Sequence, residues 1–127
     1  MRKPNKDGMK NKKYRFSKLA ENDIGEILDF TYAEWGERQA DKYAAQFTNR
    51  FQWLAENPNL GKRRDEIETE YRSFNEGKHT IFYRVVGEDI EIIGIPRQSM
   101  DIEQHLSLEK NPELTHEWQD VEPPEAD

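Results

Sequence analysis

The spacing of hydrophobic residues changes at Tyr71, from intervals of three and four residues to intervals of two. Before Tyr71, this spacing predicts one amphipathic helix over Lys18–Trp35 and a second from Ala40 to Asn57. After it, apolar and polar residues alternate as they do along β-strands. A chain of 127 residues builds one modest core, so helices and strands must share it. The sequence therefore predicts a single α+β domain.

The two predicted helices should form an antiparallel hairpin. Gly36 suits a left-handed helix terminus and leaves only a short connection between them. Ser17 offers a hydroxyl that can cap the first helix, and Asn57–Pro58 ends the second. The apolar face of the first helix comprises Leu19, Ile24, Ile27, Leu28, Thr31, Tyr32 and Trp35. That of the second comprises Ala40, Tyr43, Ala44, Phe47, Phe51 and Leu54.

Three strands are predicted in the second half of the chain, over Tyr71–Phe74, His79–Val86 and Ile90–Ile95. Short turns with glycine separate them, so they should form an antiparallel meander. The middle strand has apolar residues at both its odd and its even positions, which predicts a central place in the sheet with one face covered and the other partly covered. The second face of the sheet is thus a candidate site for function.

A further short strand at Tyr14–Phe16 should pair with the meander, and Ser99 could cap a last short helix over Met100–Leu106. The expected architecture is β-α-α-β-β-β, a helical hairpin packed on a small antiparallel sheet, followed by a short C-terminal helix. We divide the chain into a flexible N-terminal extension (1–11), the folded domain (12–106) and an acidic, disordered tail (107–127). Within that tail Leu114 and Trp118 are apolar exceptions.

The charge of the chain is unevenly distributed around a net value of −7. Residues 1–16 contain seven Lys or Arg and one Asp, whereas residues 107–127 contain one Lys and seven Asp or Glu. Subtracting +6 and −6 for these ends leaves −7 for residues 17–106. A domain of this sign repels phosphate backbones, which disfavours sequence-specific or general nucleic-acid binding.

Composition also narrows the chemistry and the location. With no cysteine, the chain can form no disulfide, Cys-ligated zinc site or thiol nucleophile. His105 and Glu109 have helical spacing but lack a third ligand, so we expect neither a metal nor a cofactor. No apolar run approaches the roughly 20 residues that span a bilayer, and no signal peptide follows the basic N-terminus. We therefore expect a soluble cytoplasmic protein without membrane contact.

Several short segments, in order, resemble the ParE branch of the RelE/ParE toxin superfamily. Each fragment alone is weakly specific, but their order and spacing together are specific. They cover most of the predicted domain, and the segments are Leu19–Ile24, Trp35–Gly36 with Gln39–Ala40, Leu54–Gly61, Tyr71–Phe74, Gly77–His79, Ile81–Arg84, and Met100–Glu103 with His105–Leu106. The sequence departs from the family at Ile95–Ser99, where Pro96 stands in a segment that commonly carries leucine and histidine.

The resemblance implies a protein that binds rather than catalyses. Members of this family inhibit DNA gyrase by trapping it on cleaved DNA, and a ParD-like antitoxin neutralises them. On that basis we expect a hetero-oligomer with an antitoxin and no catalytic residue. Arg and Tyr are enriched at binding hot spots, and an exposed aromatic could receive an antitoxin helix. The residues we expect to bind partners are Arg72, Tyr83, Arg84, Arg97, Met100 and Trp35.

Two alternatives remain from the sequence. The sister RelE branch cleaves mRNA on the ribosome, which needs a general acid and base with cations around the phosphate. The best set here is His79, Tyr83, Arg84 and Arg97, but strand alternation puts His79 and Tyr83 on the face opposite Arg84. The other alternative is a non-toxic remnant that still binds its antitoxin.

The same residues could instead have purely structural roles. His79 could bond to the backbone of the Gly77 turn, and Arg72 and Arg84 could form cross-strand ion pairs with residues such as Glu91.

Overall fold

The computed structural model of the protein describes residues 13–114. Our expectations for residues 1–11 and for the chain after Leu114 concern residues outside this range. The elements are β1 (Tyr14–Phe16), α1 (Lys18–Trp35), α2 (Glu37–Glu56), β2 (Lys62–Arg63), β3 (Arg72–Glu76), β4 (His79–Val86), β5 (Asp89–Gly94), α3 (Ile102–His105) and a 3-10 helix (Pro112–Leu114).

The predicted α+β fold is confirmed, with α1 and α2 against a five-stranded sheet of order β1-β5-β4-β3-β2. Three of the four pairings are antiparallel, as expected for the meander. The fourth corrects the prediction of a wholly antiparallel sheet, because β1 runs parallel to β5, with Tyr14 beside Ile90. Since two helices and three strands, rather than a tight turn, separate these two strands in the chain, their direction is not restricted to antiparallel.

Ser17 anchors the start of α1 to the sheet. As predicted, its hydroxyl caps the helix, accepting a hydrogen bond from the Ala20 amide at 3.0 Å. The same hydroxyl donates to the Ile93 carbonyl at 2.7 Å. Gly36, with φ of +93°, joins the helices, so α2 begins at Glu37 rather than at Ala40. One short polar side chain thereby fixes where α1 lies along β5.

The main core lies between the helical hairpin and the sheet. It contains aromatic and aliphatic side chains from α2 and from the two central strands, supported at the edge by Tyr14 and Phe16 of β1. Phe51 packs against both of these rings, with centroids 5.4 and 5.3 Å apart. The buried residues of this main core are Ala20, Phe47, Phe51, Leu54, Ala55, Ile81, Tyr83, Ile90, Ile92 and Ile95.

A second apolar cluster covers the other face of the sheet, which the sequence predicted to be only partly covered. It consists of Leu19, Tyr71, Phe82, Ile93, Leu106 and Leu114. Leu114 is 1% exposed, so the packed domain extends past the boundary that we predicted at Leu106. The last helix is also shorter than predicted and is capped by Asp101, not by Ser99. Apolar residues on this face require cover, and the C-terminal segment provides it.

We expect Leu114→Ala to lower the free energy of unfolding by about 2–4 kcal/mol, because it leaves a cavity in the second cluster. Leu108→Ala is the matched control, since Leu108 is 47% exposed and its truncation removes little buried area. Urea unfolding followed by circular dichroism measures both. Equal effects for the two variants would show that the C-terminal segment does not belong to the core.

Gly61 lies against the ring of Tyr83, whose hydroxyl accepts a hydrogen bond from the Gly61 amide at 2.9 Å. A Cβ atom at Gly61 would lie 2.8 Å from the ring carbon Cζ and would overlap the hydroxyl. The same hydroxyl donates to the Pro58 carbonyl at 2.8 Å. The loop after α2 is therefore closed around a tyrosine that only glycine can approach.

Gly61→Ala should destabilise the protein by about 1–3 kcal/mol, because Tyr83 must move within a packed core. Gly25→Ala serves as the control, as a Cβ there meets nothing within 4 Å and lies in a helix. Alanine is the better helix former by about 1 kcal/mol, so that variant should be neutral or more stable. Thermal or urea unfolding distinguishes the opposite signs, and a neutral Gly61→Ala would contradict the close approach.

Candidate partner-binding surface

Arg97 is held at the surface by the backbone on both sides of it. The Thr80 amide donates to the Pro96 carbonyl, and the Gln98 amide donates to the Lys78 carbonyl, both at 2.9 Å. These bonds place residues 96–98 beside the start of β4, where the backbones of Arg97 and His79 form an isolated antiparallel β-bridge. Pro96 is compatible with this extended exit because its carbonyl, not its missing N–H, makes the bond.

The Arg97 guanidinium lies over the ring of Phe30 of α1, 6.0 Å from its centroid. Phe30 is 54% exposed, so its ring is available to a partner beside the guanidinium. Met100, 45% exposed, follows in the same turn, where its amide donates to the Arg97 carbonyl at 3.0 Å. We call Phe30, Arg97 and Met100 the Arg97 surface. It combines an aromatic, a cation and a flexible thioether, the residue types of binding hot spots.

Trp35 and Tyr32 form a separate exposed pair at the end of α1, with exposures of 71% and 59%. At about 100° per residue they lie roughly 60° apart on the helix, whereas Phe30 is about 160° from Tyr32. The exposure of Tyr32 corrects its place on the predicted apolar face, whereas Trp35 is exposed, as a partner-binding aromatic must be. With 18 residues, α1 is about 27 Å long. Phe30 already lies beside Arg97, which follows β5 in the chain, so the last turn of α1 passes beyond that strand.

Tyr83 and Arg84 are buried, with exposures of 0% and 3%, which corrects our expectation that they contact a partner. The Tyr83 hydroxyl bonds to Pro58 and Gly61, and burial raises its pKa above the usual value. Arg84 donates a hydrogen bond to the Glu91 carboxylate at 3.0 Å. This is the cross-strand ion pair that the sequence offered as the structural alternative. Strand alternation predicted opposite faces for these two residues but not that both faces would be covered.

Arg72 is half-buried and supports the loop after α2. Its guanidinium donates to the carbonyls of Gly61 and Asn59, at 2.8 and 3.3 Å. The plain interpretation predicted an ion pair for this residue, but backbone oxygens fill that role. Arg72 thus lies near the surface with much of its hydrogen-bonding capacity in use.

His79 is half-buried between Arg97 and the aromatic residues of α2. Its ring centroid lies 6.1 Å from that of Phe47, and its Nδ1 atom lies 3.5 Å from the Tyr43 hydroxyl. Burial first, and the Arg97 charge second, lower the pKa of His79 below its ordinary value of 6.5. At neutral pH the imidazole is therefore uncharged and is poorly suited to supply a cation for a phosphate.

The lowered pKa of His79 predicts a pH dependence of stability. In the unfolded chain this imidazole gains a proton near pH 6.5, whereas in the folded chain it does so only at lower pH. The unfolded state therefore binds more protons between these values, and the free energy of unfolding falls as the pH decreases below 6.5. Each unit of pKa difference is worth about 1.4 kcal/mol.

Urea unfolding at pH 7.5 and pH 5.5 measures the effect, with His79→Gln as the comparison. The drop in stability on acidification should be smaller in the variant, because the other titrating groups are common to both chains. An identical drop in both chains would contradict the lowered pKa.

Two features of the surface were missed from the sequence. Phe30 was omitted because it lies off the apolar face of its helix, and an off-face aromatic was the signal that could have identified it. The second is Arg50, whose guanidinium lies 4.9 Å from the Trp53 centroid and 4.8 Å from that of Phe74. Arg50 also bonds to Glu76 at 2.7 Å, beside a cleft of about 330 Å³ on α2.

Neither a metal site nor a membrane segment is found in the part of the chain that the structure describes. Across residues 13–114, no three His, Asp or Glu side chains come together as metal ligands. No helix in that range is long and apolar enough to cross a bilayer. The chemistry available on the described surface is that of aromatic, cationic and carboxylate contacts.

The same fold occurs in a solved structure. A solved structure described as the chromosomal ParDE TA system from P. aeruginosa superposes with a TM-score of 0.59, covering 68% of this chain and 96% of that one. The two chains are 21% identical, so this likeness concerns the fold.

Sequence comparison assigns the family. The model of the ParE toxin of the type II toxin–antitoxin system parDE matches residues 14–102. The chain is 38% identical over 95 residues to toxin ParE1 of Mycobacterium tuberculosis, covering 74% of this chain and 97% of the relative. It is 36% identical over 95 residues to toxin ParE1 of Caulobacter vibrioides, covering 75% and 98%. This chain belongs to the ParE toxin family of type II toxin–antitoxin systems, which confirms the resemblance found in its sequence.

Proposed function

We propose that this chain is a cytoplasmic toxin that inhibits DNA gyrase by binding it, and that a ParD-like antitoxin neutralises it as a hetero-oligomer. Membership of the family supports the toxin role. The observation that carries a binding mechanism is the Arg97 surface, where an exposed phenylalanine lies under an arginine beside an exposed methionine. Such a group offers a partner a large apolar area with one oriented cation.

Trp35 forms a second contact in this proposal. Trp35 is the most exposed large apolar residue in the described chain, and burying an indole contributes strongly to interfaces. An amphipathic helix of the antitoxin laid along α1 would cover Trp35 and Tyr32. Antitoxin and gyrase then compete because both contact Trp35.

The hydrogen-bond pattern argues against the ribonuclease alternative. Of the four residues considered for RNA cleavage, Tyr83 is a buried donor to Pro58 and Arg84 is paired with Glu91. Only His79 and Arg97 remain together near the surface, and the pKa of His79 is lowered. Cleavage of a phosphodiester needs an acid, a base and charge stabilisation at one phosphate, which this pair alone does not supply. The acidic charge of residues 17–106 likewise disfavours direct nucleic-acid contact.

The test is inhibition of purified gyrase. The wild-type protein should reduce supercoiling and increase cleaved DNA at micromolar concentration. Arg97→Ala and Phe30→Ala should each raise the half-inhibitory concentration roughly 5- to 100-fold, since hot-spot truncations cost about 1–3 kcal/mol. Arg63→Ala is the matched control, because Arg63 is an exposed cation paired with Asp65 at the far edge of the sheet.

Three outcomes separate the alternatives. Intact supercoiling together with cut transcripts in expressing cells would replace this proposal with ribonuclease activity. Neither effect, with binding of the co-expressed antitoxin retained, would identify a non-toxic remnant. Inhibition that is equally unaffected by Arg97→Ala and Arg63→Ala would keep gyrase as the target and remove the Arg97 surface from the contact.

A further inference from the structure

The outer edge of β3 is open along its second half. The neighbouring strand β2 is only two residues long and lies opposite Arg72 and Ser73, whereas β3 continues to Glu76. No other strand within residues 13–114 lies on that side of β3. Residues 74–76 therefore have a neighbouring strand on one side only.

The backbone groups of Asn75 face this open side. Along an antiparallel strand, successive residues direct their amide and carbonyl groups alternately toward one neighbour and the other. Thr80, the partner of Asn75 in β4, donates its amide to the Pro96 carbonyl at 2.9 Å, on the side of β4 away from β3. Tyr71, four residues before Asn75, accepts from the Arg64 amide on the β2 side at 2.8 Å. Both bonds place the amide and carbonyl of Asn75 at the edge, where no backbone group of the described chain bonds to them.

A cleft of about 330 Å³ lies beside this edge, between α2 and the end of β3. Four of its residues have the helical spacing of three and four that puts them on one face of α2, and the fifth belongs to β3. These residues are Gln46, Asn49, Arg50, Trp53 and Glu76. Because Glu76 belongs to both, the cleft and the open edge form one groove, which we call the β3 groove.

The Arg50 guanidinium is held in the β3 groove with its outer end available. It lies over the rings of Trp53 and Phe74, which themselves pack at a centroid distance of 5.1 Å. Its Nε atom donates to the Glu76 carboxylate at 2.7 Å. Its two terminal nitrogens form no hydrogen bond or ion pair with any residue in the range 13–114. A guanidinium fixed in this way can donate two parallel hydrogen bonds to a carboxylate.

The surroundings of Arg50 also favour a negatively charged ligand. Lys42 lies one turn earlier on the same face of α2, and Lys78 lies in the turn after β3; both are exposed. With the guanidinium they exceed the single carboxylate that lines the groove, that of Glu76. Gln46 and Asn49 add exposed amides whose side chains bond to nothing else in the described range. In a chain of net charge −7, this is a local excess of positive charge.

We propose that the β3 groove binds an extended acidic segment of a protein partner, which adds to the sheet as a short strand beside Asn75. The segment exchanges two backbone hydrogen bonds with Asn75, which the fold leaves available. Side chains alternate along a strand, so residues two apart enter the cleft together. One is an acidic residue that meets the outer end of Arg50, and the other is an apolar residue that packs on Trp53. The groove includes no residue of α1 or of the Arg97 surface, so this binding is independent of the toxin's target.

Titration of the ¹⁵N-labelled full chain with a synthetic peptide, followed by NMR, tests the proposal. The probe is acetyl-Thr-Val-Thr-Glu-Thr-Val-Thr-amide, which places an apolar residue two positions from the glutamate in either direction. It should shift the Asn75 amide and the Trp53 indole N–H, and the peptide with lysine in place of glutamate should bind more weakly. Arg50→Gln should raise the dissociation constant roughly tenfold or more, as expected for lost hydrogen bonds to a charged group. Arg15→Gln is the matched control, since Arg15 is an exposed arginine at the opposite edge of the sheet.

Two further variants test the charge and the edge separately, without removing an interaction of the fold. Asn49→Glu adds a carboxylate to the groove at an exposed position, so it should shift the preference from the glutamate peptide toward the lysine peptide. Asn75→Pro removes the amide that faces the open edge, and proline is tolerated at such edge positions. It should weaken both peptides alike. Well-dispersed amide signals establish that each variant is folded.

Three results would overturn the proposal. The first is the absence of shifts at Asn75 and Trp53 with millimolar peptide. The second is equal affinity of the wild-type chain for the glutamate and lysine peptides. The third is an equal response to inorganic phosphate, with the Asn75 amide unmoved, which would reduce the groove to a simple anion site.

Discussion

The Asp23 carboxylate joins the two layers that cover the sheet. Asp23 is a residue of α1, yet it is only 7% exposed and accepts hydrogen bonds from two separate parts of the C-terminal half. The Ile95 amide and the His105 imidazole each lie 2.8 Å from the same carboxylate oxygen. Gly94 allows this approach, because a Cβ there would lie 2.7 Å from Leu106. A buried carboxylate must be satisfied in this way, so α1, the exit of β5 and α3 are fixed together.

This arrangement determines which surfaces remain for function. With helices on one face of the sheet and the C-terminal segment on the other, residues 80–84 of β4 are buried from both sides. The position of Ile95 fixes Pro96 and Arg97, so the guanidinium meets Phe30 of the helix that carries Asp23. The Arg97 surface is thus a consequence of the same connection that closes the core. A surface that the fold already holds in place favours binding, because little conformational freedom is lost on association.

The second face of the sheet is likewise occupied. A buried Arg84–Glu91 ion pair lies in its two central strands. Removing one partner of such a pair costs several kcal/mol, so these residues serve the fold. Segments outside the family match, at both ends of the chain, then become the features in which this toxin can differ from its relatives.

The sequence by itself determined the element types, the helical hairpin, the meander and the family, because hydrophobic period, glycine turns and capping residues act locally. Ser17 and Gly36 are examples whose roles need only their neighbours. Tertiary structure decided the parallel pairing of β1, the burial of Tyr83 and Arg84, the exposure of Trp35 and the place of Leu114 in the core. Each of these depends on how long one element is relative to another or on which distant segment covers a face. Local periodicity carries no such information, since burial is a property of the assembled layers.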